Sequence, residues 1–136
     1  MRIEPYLCFE GRCEEAIEFY KKALGAEVQT MMRFKDIPDP EAASQNPPGS
    51  GDKVMHAMLR IGESTMLATD GRCTGKPTFG GITMSLQVNG VAEAEKMFAA
   101  LADGGQVQMP LAETFWSPRF GMVADRFGVW WMVNAS

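Results

Sequence analysis

The sequence has little of what the commoner kinds of functional site require. It contains one histidine among 136 residues, and its three cysteines lack the Cys-x-x-Cys spacing of a zinc site. An odd number of cysteines does not make a disulfide framework either, so we expect reduced thiols. Because no basic run is longer than Lys21-Lys22 and the net charge is -4, the sequence does not favour nucleic acid as a partner.

Long apolar segments are also missing. No stretch approaches the roughly 18 apolar residues that cross a bilayer, and the first residues, 1–5, do not lead into the apolar core of a signal peptide. We therefore expect no membrane partner and a cytoplasmic location. With 46% hydrophobic residues, the chain is long enough to bury the core of one domain.

What the sequence does contain is a weak internal repeat. Residues 15–28 are echoed by residues 93–107, at an offset of 78 residues over most of their length. The matched positions are Ala16 with Ala94, Phe19 with Met97, and Tyr20 with Phe98. A solenoid repeat has a period of roughly 20 to 50 residues, so this longer period predicts two modules packed around a shared surface.

Each half predicts the same order of elements, β-α-β-β-β. The first half predicts strands over 2–9, 26–34, 53–61 and 64–69, with a helix over 13–24. The second half predicts strands over 81–88, 106–109, 119–123 and 129–133, with a helix over 91–102. The expected fold is therefore α+β: a single domain, 1–136, built of two βαβββ modules at about 1–71 and 78–136. Residues 35–52 form either a binding loop or a mobile surface loop.

Several segments resemble one family. Residues 5–11 (PYLCFEG) and 15–25 (EAIEFYKKALG) are similar to the opening of PhnB-like proteins within the vicinal oxygen chelate superfamily, which contains glyoxalases, bleomycin resistance proteins and extradiol dioxygenases. Residues 54–57, 114–117 and 125–134 resemble later segments of that family. The resemblance implies curved sheets around a cavity that is often completed in a homodimer. It does not imply a known reaction, because activity varies on this fold.

The resemblance also bears on metal binding. Metal-dependent members that resemble glyoxalase hold a divalent ion with four inward His or Glu side chains, one from each of four strands. Alignment of this chain on the segments above places Pro5, Met66, Thr83 and Met132 at those positions. None of them is a suitable ligand for such an ion. We therefore expect no metal at the usual site and no cofactor.

His56 is the main candidate for chemistry. The odd positions of 54–61 are uniformly apolar and suit a helix-covered face, so the even positions are expected on the face turned toward the cavity. These positions are Val54, His56, Met58 and Arg60. There the imidazole is either a general base or a donor to a bound anion. The alternative is a hydrogen-bonded wall residue without a catalytic role, and the sequence leaves both open.

Trp116 and Arg119 are candidates for ligand binding. An aromatic wall and a cation suit a planar or anionic ligand. The alternative is a packed turn in which Arg119 forms an ion pair, for example with Asp125. A further acidic residue, Asp70, follows a predicted strand, where a solvated carboxylate is expected.

Trp130 and Trp131 must face opposite sides of one strand. Trp130 shares its side with Met132, so these two are expected to line the cavity, where Met66 adds an adaptable apolar surface. A core position for both tryptophans is the alternative.

Two functions remain on this basis. The first is a small-molecule binding protein of the glyoxalase/bleomycin-resistance type, which binds an apolar or aromatic ligand in the cavity without the usual metal. An anionic group on that ligand is left open. The second is an atypical vicinal oxygen chelate enzyme, similar to a lyase, isomerase or dioxygenase, that uses His56 and Arg119. The missing metal ligands favour binding. In either function, two modules with exposed sheet edges predict a homodimer.

Overall fold

The computed structural model describes all 136 residues, and the chain divides into two compact units, Met1–Pro77 and Thr78–Ser136. Each unit contains one four-stranded mixed sheet and one helix of 12 residues. This architecture confirms an α+β fold made of two βαβββ modules. None of the helices combines the length and the apolar character that crossing a membrane requires.

The first unit contains a sheet in the order β1-β4-β3-β2, in which β1 is parallel to β4 and the other pairs are antiparallel. A 3-10 turn at Phe34–Asp36 and a short helix follow β2. The elements are β1 (Tyr6–Cys8), α1 (Cys13–Leu24), β2 (Glu27–Arg33), α2 (Pro40–Ala43), β3 (Val54–Ile61) and β4 (Ser64–Thr69).

The second unit repeats this topology with the order β5-β8-β7-β6, and β5 is parallel to β8. Its elements are β5 (Thr83–Val88), α3 (Val91–Ala102), β6 (Gln106–Ala112), β7 (Phe120–Ala124) and β8 (Trp130–Ala135). Both long helices begin and end where the apolar spacing predicts. In α1 the end is fixed by Gly25, whose left-handed φ of 68° is inexpensive only for glycine.

Some strand boundaries differ from the prediction. β1 begins only at Tyr6 rather than at residue 2. β6 continues past Pro110 to Ala112, because it lies at the edge of its sheet, where proline's missing N–H removes no bond to a further strand. The segment 35–52 contains α2, and its first turn is capped by Asp39 Oδ1, which accepts the Glu41 N–H at 3.0 Å.

Each sheet has one face that carries the helix and one that does not. In the second sheet, Gly121 and its opposite neighbour Val133 face α3, since a Cβ on Gly121 would lie 2.8 Å from the Phe98 ring. The alternate positions of β8, Trp130, Met132 and Asn134, lie on the other side, which we call the helix-free face of the second sheet. In the first sheet the buried Ala57 and Leu59 lie toward α1, and His56 and Met58 lie on its helix-free face.

Candidate functional site

The structure separates the two neighbouring tryptophans of β8. Trp130 is half-buried beside Met132 on the helix-free face of the second sheet, opposite Thr83 and Ala124 on the flanking strands. Trp131 is 3% exposed on the other side, and its Nε1 donates to Asp125 Oδ2 at 2.9 Å. Trp131 is thus a core residue, whereas Trp130 and Met132 share one face.

An exposed aromatic cluster precedes β7. Phe115 is 97% exposed and Trp116 is 53% exposed. The Trp116 ring meets Phe115 edge-on at 4.7 Å and Phe120 edge-on at 5.2 Å between ring centroids. The turn that carries this cluster is fixed by the buried Ser117, whose Oγ lies 2.6 Å from the Ala135 carbonyl oxygen. Trp116 is therefore held at the surface by a well-bonded turn.

Arg119 lies on a different side from the one expected. Its carbonyl accepts the Ala135 N–H at 2.9 Å, which places Arg119 across from Ala135 and on the side of α3. There its Nε lies 3.5 Å from Glu95 Oε1 of α3. The expected partner, Asp125, is instead buried, and its Oδ1 accepts backbone N–H groups of the following turn. The structure therefore does not bring Arg119 together with Trp130.

His56 lies on the helix-free face of the first sheet, as the alternation predicts. The imidazole is half-buried, and its ring centroid is 5.7 Å from that of Tyr6, in an edge-on arrangement. No protein group forms a hydrogen bond with it. Val54, which was expected beside His56 on this face, is instead fully buried, because the pairing with β2 shifts between Met32 and Arg33.

Met66 lies in the core rather than on the helix-free face. It is 3% exposed and sits opposite Leu59 of β3. Its neighbour Leu67 occupies the helix-free side, opposite Tyr6 of the parallel β1. The correction is a shift of one residue, which moves a side chain to the other face of a strand.

The donor set does not fit the divalent ion of metal-dependent relatives. Of the four aligned positions, Pro5 precedes β1 and the others carry a threonine hydroxyl or a thioether. Substituting Leu67 for the misplaced Met66 adds no ligand. No group of three or more His, Cys, Asp or Glu side chains comes together anywhere in the chain.

The sequence predicted a solvated carboxylate at Asp70, but the structure buries it and pairs it with backbone N–H groups. It is 1% exposed, and its Oδ1 accepts the N–H groups of Gly11 at 2.9 Å and Cys13 at 2.7 Å, while Oδ2 accepts that of Val54 at 2.7 Å. It therefore ties the start of α1 to β3. A polar cleft of about 280 Å³ lies at this junction, with both acidic and basic side chains around it: Gly11, Arg12, Glu14, Glu15, Asp52, Lys53 and Asp70.

The cysteines offer no activated nucleophile. All three are free, and burial raises the pKa of Cys8 to about 11, helped by a hydrogen bond from its Sγ to Glu10 Oε1 at 2.8 Å. Burial also raises the pKa of Cys13 and Cys73. Each thiol is thus protonated at neutral pH.

Comparison with known proteins agrees with the fold. The family model of the Glyoxalase/Bleomycin resistance protein/Dioxygenase superfamily matches residues 2–133. Protein YjdN of Escherichia coli K12 is 37% identical over 139 aligned positions, which cover 98% of this chain and 95% of YjdN.

Two solved structures are also similar. Protein PA1353 from Pseudomonas aeruginosa is 43% identical with a TM-score of 0.86, and the match covers 100% of this chain and 98% of that one. The PhnB protein from Bacillus cereus is 25% identical with a TM-score of 0.81 over the whole of both chains. The chain therefore belongs to the glyoxalase/bleomycin resistance protein/dioxygenase superfamily.

Proposed function

We propose that this protein is a PhnB-like small-molecule binding protein, which holds a flat apolar or aromatic ligand on the helix-free face of the second sheet without a metal. The similarity to the Bacillus cereus PhnB protein over the whole chain supports the PhnB-like branch. One observation carries the binding role: Trp130 and Met132 share this face, and the half-exposed Trp116 ring meets Phe120 of the same sheet edge-on.

The free energy available from covering Trp116 follows from its exposed area. A tryptophan side chain has an area of about 200 Å², so covering its exposed 53% removes about 100 Å² from water. At about 25 cal/mol per Å², that burial is favourable by about 2.5 kcal/mol before the entropy of association is subtracted. A planar ligand that covers this ring gains more from it than from any one hydrogen bond at the surface.

The ligand of this proposal needs no anionic end. The sequence suggested one because of Arg119, but the guanidinium lies beside Glu95 on the side of α3. The ring surfaces and the thioether of Met132 instead favour an uncharged, polarizable ligand.

The alternative, an enzyme that uses His56 and Arg119, gains no support from the site. His56 belongs to the sheet of the first unit, and its ring contacts the edge of Tyr6. Arg119 belongs to the second unit and is engaged by Glu95. A catalytic role for His56 thus stays a prediction of the sequence.

Benzofuran, a flat apolar ring system, tests the proposal. Titrated into ¹⁵N-labelled protein, it is expected to shift the indole N–H signals of Trp116 and Trp130 and to leave that of the buried Trp131 in place. Trp130→Ala should weaken binding at least fivefold, whereas Ile82→Ala, an exposed apolar control, should not change it. Adding a metal chelator should also leave binding unchanged. Unaltered affinity in Trp130→Ala would refute the proposed surface.

We also propose a homodimer. The edge strands β2 and β6 are exposed and carry apolar side chains, among them Met31 and Met32 in β2 and Val107 and Met109 in β6. Uncovered edges of this kind promote association. Sedimentation at micromolar concentration should give twice the chain mass of 14.9 kDa, and a monomer there would contradict the proposal.

A further inference from the structure

A row of polar side chains crosses the helix-free face of the second sheet. Asn134 Nδ2 donates to Gln87 Oε1 at 2.7 Å, and Gln87 Nε2 donates to Ser85 Oγ at 2.8 Å. Asn134 and Gln87 are direct neighbours on the parallel strands β8 and β5. Each amide therefore has its orientation set by the next, and the row runs in one direction from Asn134 to Ser85.

The first residue of the row, Asn134, also carries an acceptor that has no donor. Asn134 Oδ1 is shielded from water, and no protein group donates to it. A buried oxygen without a hydrogen bond is unfavourable, and most such atoms in proteins are paired. Because Asn134 Nδ2 is already used by Gln87, the unpaired oxygen cannot be relieved by turning the Asn134 amide alone.

The matching position of the first sheet shows no such defect. Thr69 is paired with Cys8 across the parallel strands β4 and β1, as Asn134 is paired with Gln87 across β8 and β5. The Thr69 hydroxyl donates to the Met55 carbonyl oxygen at 2.6 Å, so this polar group is satisfied within its own unit. The unpaired acceptor at this sheet position is thus not a general property of the repeated fold.

The surroundings of Asn134 connect it to the aromatic cluster. Its direct neighbour on β7 is Phe120, which the half-exposed Trp116 ring meets edge-on at 5.2 Å between centroids. A planar ligand that covers the Trp116 ring beside Phe120 therefore lies near the Asn134 amide.

We infer that Asn134 is a specificity-determining residue, whose Oδ1 selects, among flat aromatic ligands, those with an uncharged N–H or O–H donor on the ring. This inference rests on the proposed binding function and names the chemical class of its ligand. A site that leaves a buried polar group unpaired discriminates against analogues that lack the matching group. Gln87 and Ser85 are positioning residues, which hold the amide in the orientation that presents its oxygen.

Indole and benzofuran test this inference because they have the same shape and differ at one ring position. Indole has an N–H donor there, and benzofuran has an oxygen. We expect the wild-type protein to bind indole at least tenfold more tightly than benzofuran. Asn134→Leu should bind both equally, with a melting temperature no lower than the wild type, since it removes an unpaired polar atom. Asn134→Asp, which keeps an acceptor, should retain the preference for indole.

The outcomes separate the two proposals. Equal affinity of the wild type for both probes, or a preference that persists in Asn134→Leu, overturns the role of Asn134 and leaves the aromatic binding surface standing. If neither probe shifts the Trp116 and Trp130 signals, the binding function fails and this inference fails with it.

Discussion

Replacing Asp70 by asparagine tests the polar centre of the first unit. The buried carboxylate accepts three backbone N–H groups, those of Gly11 and Cys13 on Oδ1 and that of Val54 on Oδ2. Asparagine has one acceptor oxygen, so its NH₂ group must face at least one of these donors. With the oxygen in the Oδ1 position, the NH₂ group faces the Val54 N–H at a site where the present distance is 2.7 Å.

The expected loss follows from these contacts. Removing the charge-assisted bond to Val54 costs about 1.5–3 kcal/mol, and leaving the buried donors unsatisfied adds about 1–3 kcal/mol. We therefore expect Asp70→Asn to lower the free energy of unfolding by about 3–5 kcal/mol, a large part of the roughly 5–15 kcal/mol typical of a domain. The reverse amide orientation is worse, since NH₂ then faces two donors.

Urea unfolding followed by circular dichroism measures the change, with Glu63→Gln as the matched control. Glu63 is exposed in the turn between β3 and β4, so its change should stay within about 0.5 kcal/mol. Hydrogen exchange at the Val54 amide should accelerate in Asp70→Asn alone. A loss below about 1 kcal/mol, or exchange at Val54 as slow as in the wild type, would show that the carboxylate does not hold this junction.

Two further predictions concern packing and a thiol. Gly121→Ala should lower stability by about 1–3 kcal/mol, because its Cβ would lie 2.8 Å from the Phe98 ring and 3.0 Å from Leu111 Cα; Gly80→Ala, with nothing within 4 Å, should be neutral by thermal unfolding. Cys8, whose pKa burial raises to about 11 from the ordinary 9.0, should react with a disulfide reagent at pH 8 about a hundredfold more slowly than in the urea-unfolded chain. Since the folded state favours the protonated thiol, the contribution of Cys8 to stability is present below pH 9 and is lost as pH rises toward 11. Equal reaction rates in the folded and unfolded chains would refute the burial of this thiol.

The fold could be predicted from the sequence where the signal is local. The apolar stripe and the terminal Gly25 define α1, and strand alternation separates Trp130 from Trp131. β6 was predicted to end before Pro110 because the sequence does not show which strand lies at a sheet edge. That property depends on the pairing of distant segments.

The candidate site could be predicted only in part, for the same reason. The position of Met66 was wrong by one residue, since the face of β4 depends on its register with β1 and β3. The side on which Arg119 lies depends on the register between β7 and β8, which places Arg119 across from Ala135. The burial of Asp70 depends on donors 16 to 59 residues away in the chain. Nothing in the sequence around Asn134 predicts that its side-chain oxygen is unpaired.

The two buried carboxylates differ in how far apart their partners lie, and this affects the order in which the chain can fold. Asp125 takes its donors from Phe127, Val129 and Trp131, at most six residues away, so its turn can form before any distant segments meet. Asp70 gains its donors from Gly11 and Cys13 only after a loop of more than 55 residues has closed. Closing a longer loop has a larger entropic barrier. The polar centre of the second unit therefore needs no long-range loop closure, whereas that of the first unit can be completed only once α1 and β3 have come together.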